Sequence, residues 1–484
     1  MPIFSVVVFG ILLYIMTRRC TYLERYTNLF ILTCVLKIYW FQGYLFKIGH
    51  NEISSIAYLS NHFLVIYSLY LIIAGKININ PQILKHTIYF LIVIFLGMMY
   101  EKIHPYGGLL LPVQDDVTSW DTYVLGMCEM YPYVPSVSEM ARSLFDVGIF
   151  SFEVLVFKSI YNYEWFITLY MKVIDWLKYG IYYGYAEWII KNLVGNLTVT
   201  FSFAEIMLGA NEFAVFTDAR TRDGIFYTVQ GLTREPSYFN GFLLTLSLLM
   251  LFGNMLKKMA NKRNIPFPDT YNKYTLVLCI MLLFFTGGFS AVWFLFVIGS
   301  CTILLHIRES GVSIFSFFIK RKKFIASFII SCSIAVIALV QNDYFYNRLI
   351  DAFSVVNFLS GNGGYIGISA LGSDNSIAST ITRFVSIYEG VMIFLDRPLM
   401  GLSYKVQSIH DWSLMLTINI GIIGMCFLYK MLISSKEKQR YDFFMLFLIF
   451  IIGGLPVNIC PSALCIYWVL LFEATTYYMN EIRC

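Results

Sequence analysis

Residues 274–305 read YTLVLCIMLLFFTGGFSAVWFLFVIGSCTILL and contain no charged side chain. A membrane-spanning helix needs only about 20 consecutive apolar residues, so this run is too long for a single span. Thr286, Gly287 and Gly288 interrupt it near the middle, and paired glycines favour a turn. The run therefore predicts two short membrane helices joined by that turn.

Apolar residues dominate the rest of the chain as well. Of its 484 residues, 58% are hydrophobic and 13% are charged, and this charged share is about half that of an average soluble domain. The mean hydropathy is +0.68. A soluble protein of this composition could not cover its apolar surface with polar groups. The composition excludes a soluble enzyme, a nucleic-acid-binding module and a disordered chain, and it predicts an all-α polytopic integral membrane protein with about 11–13 spans.

The distribution of basic residues predicts how these spans are oriented. Loops on the cytoplasmic side of a membrane are enriched in lysine and arginine, and four loops of this chain show that enrichment. We therefore expect these four loops on the cytoplasmic side. Their basic residues are Arg18, Arg19 and Arg25; Lys257, Lys258, Lys262, Arg263 and Lys273; Lys320, Arg321, Lys322 and Lys323; and Lys436, Lys438 and Arg440.

Three long segments are predicted on the external side of a single polytopic membrane domain that covers residues 1–484. They are residues 101–141, 210–237 and 342–410. Loops of this length in a compact protein are usually functional. Within the third segment, residues 384–395 alternate apolar and polar side chains at helical spacing, which predicts a helix on the external membrane surface.

Some charged residues fall within or near the predicted spans. The region from Trp165 to Lys178 combines aromatic and charged side chains, and it is predicted as an amphipathic interfacial helix. Charged side chains deeper in the membrane are costly and are expected to face a cavity or one another. This group consists of Glu153, Lys158, Glu187, Lys191 and Glu205.

An arginine-rich stretch, TDARTRDGIFYTVQGLTREPSYFNG at 217–241, lies in the second external segment. Arg220, Arg222 and Arg234 are candidate phosphate ligands, because the planar guanidinium group forms paired hydrogen bonds and keeps its charge. Pro236 is predicted to start a helix whose positive end faces the external surface and favours an anion. The alternative is an ordinary membrane-edge loop with snorkelling arginines.

The third external segment ends in a second candidate site. His410 lies near Lys405 at the mouth of the next span, and a histidine there can act as a general base because its pKa lies near ambient pH. The alternative is an interfacial histidine beside an anchoring Trp412. Arg348, near the start of the same segment, is either a surface residue or a further phosphate ligand.

No metal or cofactor is expected from the sequence. The ten cysteines include no CxxC pair and no cluster with histidine at zinc spacing. No cluster of acidic residues indicates a magnesium or manganese site.

Several motifs, taken in order, resemble the bacterial O-antigen polymerase and O-antigen ligase superfamily. The resemblance covers roughly residues 200–425 and depends on the order of the motifs more than on any single one. The motifs are G-L-x-x-E-P-S-Y-F at 231–239, T-G-G-F-S at 286–290, Arg383, P-x-x-G at 398–401, His410 and G-I-x-G at 421–424.

The resemblance implies a class C glycosyltransferase of the bacterial cell inner membrane, with large periplasmic loops and an active site facing the periplasm. It implies that undecaprenyl-diphosphate-linked oligosaccharides are the substrates, and that the growing glycan moves onto a hydroxyl of the next lipid-linked repeat unit. The implied partners also include the lipid bilayer and a chain-length regulator protein, but no nucleic acid.

The resemblance also implies roles for particular residues. Arg220 and Arg383 match essential arginines in two periplasmic loops of the polymerases, and Gly231 follows Arg220 at the family's spacing. His410 matches a histidine of the ligases. The ligases usually have Asn-Pro-Asn where this chain has Glu235-Pro236-Ser237, so the polymerase branch is favoured.

The expected reaction is inverting and metal-independent. Guanidinium groups hold the diphosphate leaving group, and a catalytic base takes the proton of the acceptor hydroxyl. The expected diphosphate ligands are Arg220, Arg222, Arg234, Arg348 and Arg383, and the candidate bases are His410 and Glu235.

Two other functions remain open from the sequence. A lipid-linked oligosaccharide flippase, which is a transporter, would also handle a diphosphate, but it does not need long structured external loops. An O-antigen ligase would use the same donor and would transfer it to the lipid A–core acceptor.

Overall fold

The structure is a computed structural model, and most of its first half is described. The described part is mostly helical, in agreement with the predicted fold class. It consists of residues 3–39, 44–48, 51–106, 134–195, 227–231, 233, 236–262, 273–286, 298–300, 302, 387, 390–403, 412–433, 469–470 and 473–474.

Three of the helices are long and apolar enough to cross a membrane: Ile56–Ile73, Pro81–Ile103 and Ser413–Leu432. Among the described helices only these three meet that criterion, and part of the predicted total of about 11–13 spans falls outside the described residues. The helices are α1 (Ile3–Thr17), α2 (Tyr22–Ile38), α3 (Ile56–Ile73), α4 (Pro81–Ile103), α5 (Val137–Ile160), α6 (Tyr163–Ile189), α7 (Pro236–Lys262), α8 (Lys273–Phe285) and α9 (Trp412–Ile433).

Local sequence signals set several of these boundaries. Asn80 caps α4 by accepting the N–H of Gln82 at 3.0 Å, and Pro81 follows at the first helical position, where a missing N–H costs nothing. Ser136 and Glu139 form a capping box at the start of α5. The hydrogen bonds from Ser136 hold the pKa of Glu139 below its ordinary value. The predicted break in the 274–305 run is confirmed on its first side, since α8 ends at Phe285.

One β-hairpin joins α2 to α3, and the sequence pattern did not predict it. Strands β1 (Tyr44–Ile48) and β2 (Asn51–Ser55) pair antiparallel, with Phe46 opposite Ile53. Both strands alternate apolar and polar residues near this pair, which is the period of a strand. The apolar run that continues from α2 concealed this change of period.

Helix α6 lies along α2, so the prediction of an interfacial helix between Trp165 and Lys178 is wrong. The Trp165 indole N–H donates to the Thr27 hydroxyl at 2.7 Å, and the Tyr39 hydroxyl donates to the Leu177 carbonyl at 3.0 Å. Thr27 and Tyr39 are twelve positions apart, and so are their partners Trp165 and Leu177. The two helices therefore run side by side in the same direction. The amphipathic pattern arises because α6 buries one face in the bundle and leaves the other exposed.

Contacts between neighbouring helices place their basic loops at one end of the bundle. The Arg25 side chain donates to the Ile15 carbonyl at 3.2 Å where α1 meets α2. The Tyr67 hydroxyl, near the end of α3, donates to the Tyr22 carbonyl at the start of α2 at 3.3 Å, and the Asn80 N–H donates to the Ser159 hydroxyl at 3.2 Å where α4 meets α5. We call this the basic end. It carries Arg18, Arg19, Arg25, Lys76 and Lys85, together with Lys257 near the end of α7 and Lys430 near the end of α9, whose helices contact α6 and α4 there.

The opposite end carries the described parts of the predicted external segments. Helix α7 runs antiparallel to α6, because the Tyr170 hydroxyl donates to the Leu249 carbonyl at 2.6 Å while Gly184 lies against Phe239. The start of α7 is therefore at the opposite end. Arg397 pairs with Glu101 at the end of α4, which places residues 396–403 there too.

Candidate functional site

All seven site residues predicted from the sequence lie outside the described residues. They are Arg220, Arg222, Arg234, Glu235, Arg348, Arg383 and His410. The structure does describe the backbone next to two of the predicted segments. Residues 227–231 and α7 flank Arg234 and Glu235, and residues 390–403 and α9 flank His410.

A buried carboxylate, that of Glu187, holds the backbone just before Arg234. It accepts the Gly231 N–H at 2.7 Å and the Gln230 N–H at 3.3 Å. The Lys191 ammonium donates to it at 2.6 Å and to the Thr228 carbonyl at 3.3 Å. The carboxylate and the ammonium are both buried. Burial of these two charges is tolerated because each compensates the other and both have additional hydrogen-bond partners.

Asn192, the residue after Lys191, holds the first residue of the same loop, Tyr227. Its side-chain oxygen accepts the Tyr227 N–H at 2.6 Å, and its side-chain nitrogen donates to the Tyr227 carbonyl at 3.2 Å. Lys191 and Asn192 lie in a π-helical turn, Ile190–Val194, that continues α6. Such turns insert one residue into a helix and are frequent at functional sites. We call Glu187, Lys191 and Asn192, with the loop 227–231 that they hold, the Glu187 clamp.

The clamp delivers the chain to the start of α7. Gly231 has φ +60°, and a Cβ there would lie 2.3 Å from the Phe239 ring, so the loop packs directly on the first turn of α7. The Thr233 hydroxyl donates to the Gln230 carbonyl at 2.7 Å and tightens this turn. Helix α7 begins at Pro236, which confirms the predicted helix start. In the sequence, Arg234 and Glu235 stand between this turn and that helix.

The second region contains a broken helix that the sequence did not predict. Helix α9 is interrupted at Gly421, which has φ 66° and ψ 174°. Residues 398–403 pair with the backbone exposed by the break. A broken helix is tolerated at membrane depth only when its freed groups find such partners. The four hydrogen bonds run from Leu402 N to Ile418 O (2.8 Å), Ser403 N to Asn419 O (3.0 Å), Ile422 N to Pro398 O (2.9 Å) and Ile423 N to Leu399 O (3.2 Å).

Arg397 fastens this inserted segment to the end of α4. Its guanidinium group donates to the Glu101 carboxylate at 3.0 Å and to the His104 carbonyl at 2.8 Å. It also lies over the rings of Tyr100 and Tyr106, at 5.2 and 5.8 Å from their centroids. These contacts join parts of the predicted external segments 101–141 and 342–410. A third guanidinium N–H donates to the Asp396 carboxylate at 3.4 Å, so these contacts give Arg397 a structural role.

The sequence pattern assigned no specific role to four charged residues of these two regions and their surroundings, namely Glu187, Lys191, Lys158 and Arg397. Glu187 and Lys191 were expected to face a cavity or another charge, and they pair with each other. Lys158 likewise pairs with Glu473, which lies far away in the sequence. The spacing of Glu187 and Lys191, four residues apart on one helix face, was the signal that could have identified their pair. Arg397 offered no comparable signal, because Glu101 is 296 positions away.

The predicted surface helix 384–395 is partly described. Residues 390–395 are helical, and Ile393 is buried while Val391, Met392 and Leu395 are exposed. This one-sided burial agrees with an amphipathic helix at the opposite end.

Among the described residues, no group of three or more histidine, cysteine, aspartate or glutamate side chains is arranged to hold a metal ion. Comparison of the chain with protein-family models, curated proteins and solved structures finds no match.

The break in α9 gives a direct test of this packing. A Cβ at Gly421 would lie 2.1 Å from the Leu399 carbonyl oxygen, and the backbone there has angles that only glycine adopts readily. We expect Gly421→Ala to lower the free energy of unfolding by at least about 1–3 kcal/mol. Gly148→Ala is the matched control, because that glycine lies within α5 with open space around it. Thermal melting in detergent should show loss for Gly421→Ala and a neutral or small stabilising effect for Gly148→Ala. Equal melting of both variants would contradict the described break.

Proposed function

We propose that the chain is a glycosyltransferase that polymerises a surface polysaccharide of the O-antigen type. It transfers the growing glycan from undecaprenyl diphosphate to a lipid-linked repeat unit. The Glu187 clamp carries this proposal. It provides a rigid backbone support between the Arg220–Arg222 segment and Arg234, at the end of the bundle away from the basic loops.

A rigid support matters because catalysis here depends on charge placement. As the glycosidic bond breaks, negative charge develops on the diphosphate oxygen and positive charge develops at the anomeric carbon. Guanidinium groups stabilise the leaving group best when they are fixed before the reaction. Arg220, Arg222 and Arg234 belong to the segment that the clamp holds. Arg348 and Arg383 belong to the segment that leads to Arg397.

The proposed step is a single displacement. The acceptor hydroxyl oxygen attacks the anomeric carbon, and the bond from that carbon to the diphosphate oxygen breaks. Undecaprenyl diphosphate leaves with the electron pair, and His410 or Glu235 takes the hydroxyl proton. Attack on the face opposite the leaving group inverts the anomeric centre. The arginines supply the charge stabilisation without a metal.

The proposed location is the bacterial inner membrane. The basic end would face the cytoplasm, because cytoplasmic loops are enriched in lysine and arginine. The Glu187 clamp and residues 396–403 would then face the periplasm, where lipid-linked repeat units are joined. A chain-length regulator protein is the proposed protein partner.

Deletion of this chain from its host tests the proposal against the two alternatives. Loss of a polymerase leaves single repeat units attached to the surface lipid, because ligation continues without elongation. Loss of a ligase or a flippase leaves no repeat units there, because transfer or supply stops. We expect single repeat units, visible by electrophoresis of the extracted lipid, and recovery of long chains when the gene is returned. Absence of all repeat units would contradict the polymerase proposal.

A further inference from the structure

A groove of about 380 Å³ runs along α2 between α1 and α6. Its walls include Ile11 and Ile15 of α1 and Ile31 and Val35 of α2, and Arg18 lines it at the basic end. The volume falls in the range of about 300–1,000 Å³ that is typical of small-molecule sites. The groove is therefore mostly apolar, and three charged residues, Arg18, Lys172 and Asp175, also line it.

The charges along the groove are not balanced. Arg18 donates to Glu24 at 2.6 Å, and Asp175 accepts from Lys178 at 2.8 Å, so each has an ionic partner. Lys172 also lines the groove and is exposed. In the part of the chain that the structure describes, its ammonium forms no ion pair or hydrogen bond. Lys172 lies nine residues into α6, about 14 Å from the start of that helix, and an uncompensated cation at such a depth in a membrane is costly. An anion in the groove would relieve that cost.

We propose that this groove binds an anionic phospholipid. One acyl chain lies against Ile11, Ile15 and Ile31, and Lys172 and Arg18 contact the phosphate. Side chains on a helix lean toward its N-terminus, and α6 begins at the basic end, so the flexible stem of Lys172 can reach along the groove toward Arg18. Basic pockets between membrane helices bind anionic head groups by the same combination of charge and apolar contact.

The site is separate from the proposed glycosyl transfer, because Arg18 is at the basic end and Glu187 lies fifteen residues beyond Lys172 along α6, toward the opposite end. Its ligand would regulate or stabilise the protein rather than serve as the glycan donor. Failure of either proposal leaves the other intact.

Fluorescence of Trp176 provides the test, because its ring lines the groove. Purified full-length protein in a neutral detergent is titrated with brominated phosphatidylglycerol, which quenches nearby tryptophan. Because the chain has eight tryptophans, we expect one saturable component of the quenching, and we expect Trp176→Phe to remove that component. We expect Lys172→Gln to weaken the apparent affinity about fivefold, and Lys172→Arg to retain it. Ile11→Phe, which fills the groove without changing charge, should also weaken binding.

The matched control is Lys76→Gln, which removes an exposed lysine at the basic end but outside the groove. It should bind like the wild type. The proposal is overturned if Lys172→Gln and Lys172→Arg both bind like the wild type. It is also overturned if brominated phosphatidylcholine binds equally well, or if inorganic phosphate displaces the lipid, since the site would then recognise a chain alone or an anion alone.

Discussion

Glu187→Gln is expected to lower the free energy of unfolding by about 3–5 kcal/mol, the cost of breaking a buried ion pair. The substitution leaves the Lys191 ammonium buried without its anionic partner. It also weakens the acceptor for the Gln230 and Gly231 N–H groups, so the loop that leads to Arg234 loses its fixed position. Glycan elongation should also fall, because it depends on the position of that loop. Melting temperature in detergent and chain length in cells measure the two effects.

Two further variants separate the charge effect from the loss of a hydrogen-bond acceptor. Glu164→Gln changes an exposed glutamate at the start of the same helix and should melt like the wild type. The double variant Glu187→Gln with Lys191→Met removes the unpaired charge and keeps an amide oxygen for the Gly231 N–H, so it should recover most of the lost stability. The clamp is refuted if Glu187→Gln and Glu164→Gln melt at the same temperature.

Arg383→Ala is expected to reduce elongation about 100- to 1,000-fold, the usual cost of removing one group that stabilises developing negative charge. Arg220→Ala and His410→Ala should also abolish long chains. Arg383→Lys should remain strongly impaired, because an ammonium group cannot form the paired hydrogen bonds of a guanidinium group. Quantitative immunoblots should show unchanged protein levels for all four variants.

The control for these variants is Arg142→Ala. Arg142 is exposed on the first turns of α5 at the opposite end, so its loss removes a charge of the same kind from the same end. It should leave chain length unchanged. Full activity of Arg383→Lys would exclude bidentate diphosphate binding at that position, and equal loss in Arg142→Ala would indicate a general effect of charge at this end.

The sequence predicted the helical class because composition alone determines it. A chain with this much apolar surface must bury it in lipid or in helix contacts. Basic residues also predicted correctly that the loop at Arg25 and the end of α7 lie together, since charge counts do not depend on packing. Helix α6 was assigned wrongly, because a helix with one face in the bundle and a helix on a membrane surface share the same amphipathic pattern.

The described neighbourhood of the site was less predictable, because its contacts are distant in the sequence. Glu187 binds the backbone at Gly231, 44 positions away. Every residue except proline carries a backbone N–H group, so the sequence does not indicate which of these groups a side chain binds. The break at Gly421 was concealed for a similar reason. A glycine within an apolar run is compatible with an unbroken helix, and only the inserted segment 398–403 explains its conformation.

Incubation of the purified protein with undecaprenyl-diphosphate-linked repeat units tests the central claim most directly. Mass spectrometry of the glycans should reveal products of two, three and more repeat units, with release of undecaprenyl diphosphate and no requirement for an added metal. If the lipid-linked repeat units bind but every glycan keeps its original length, the protein is not a polymerase.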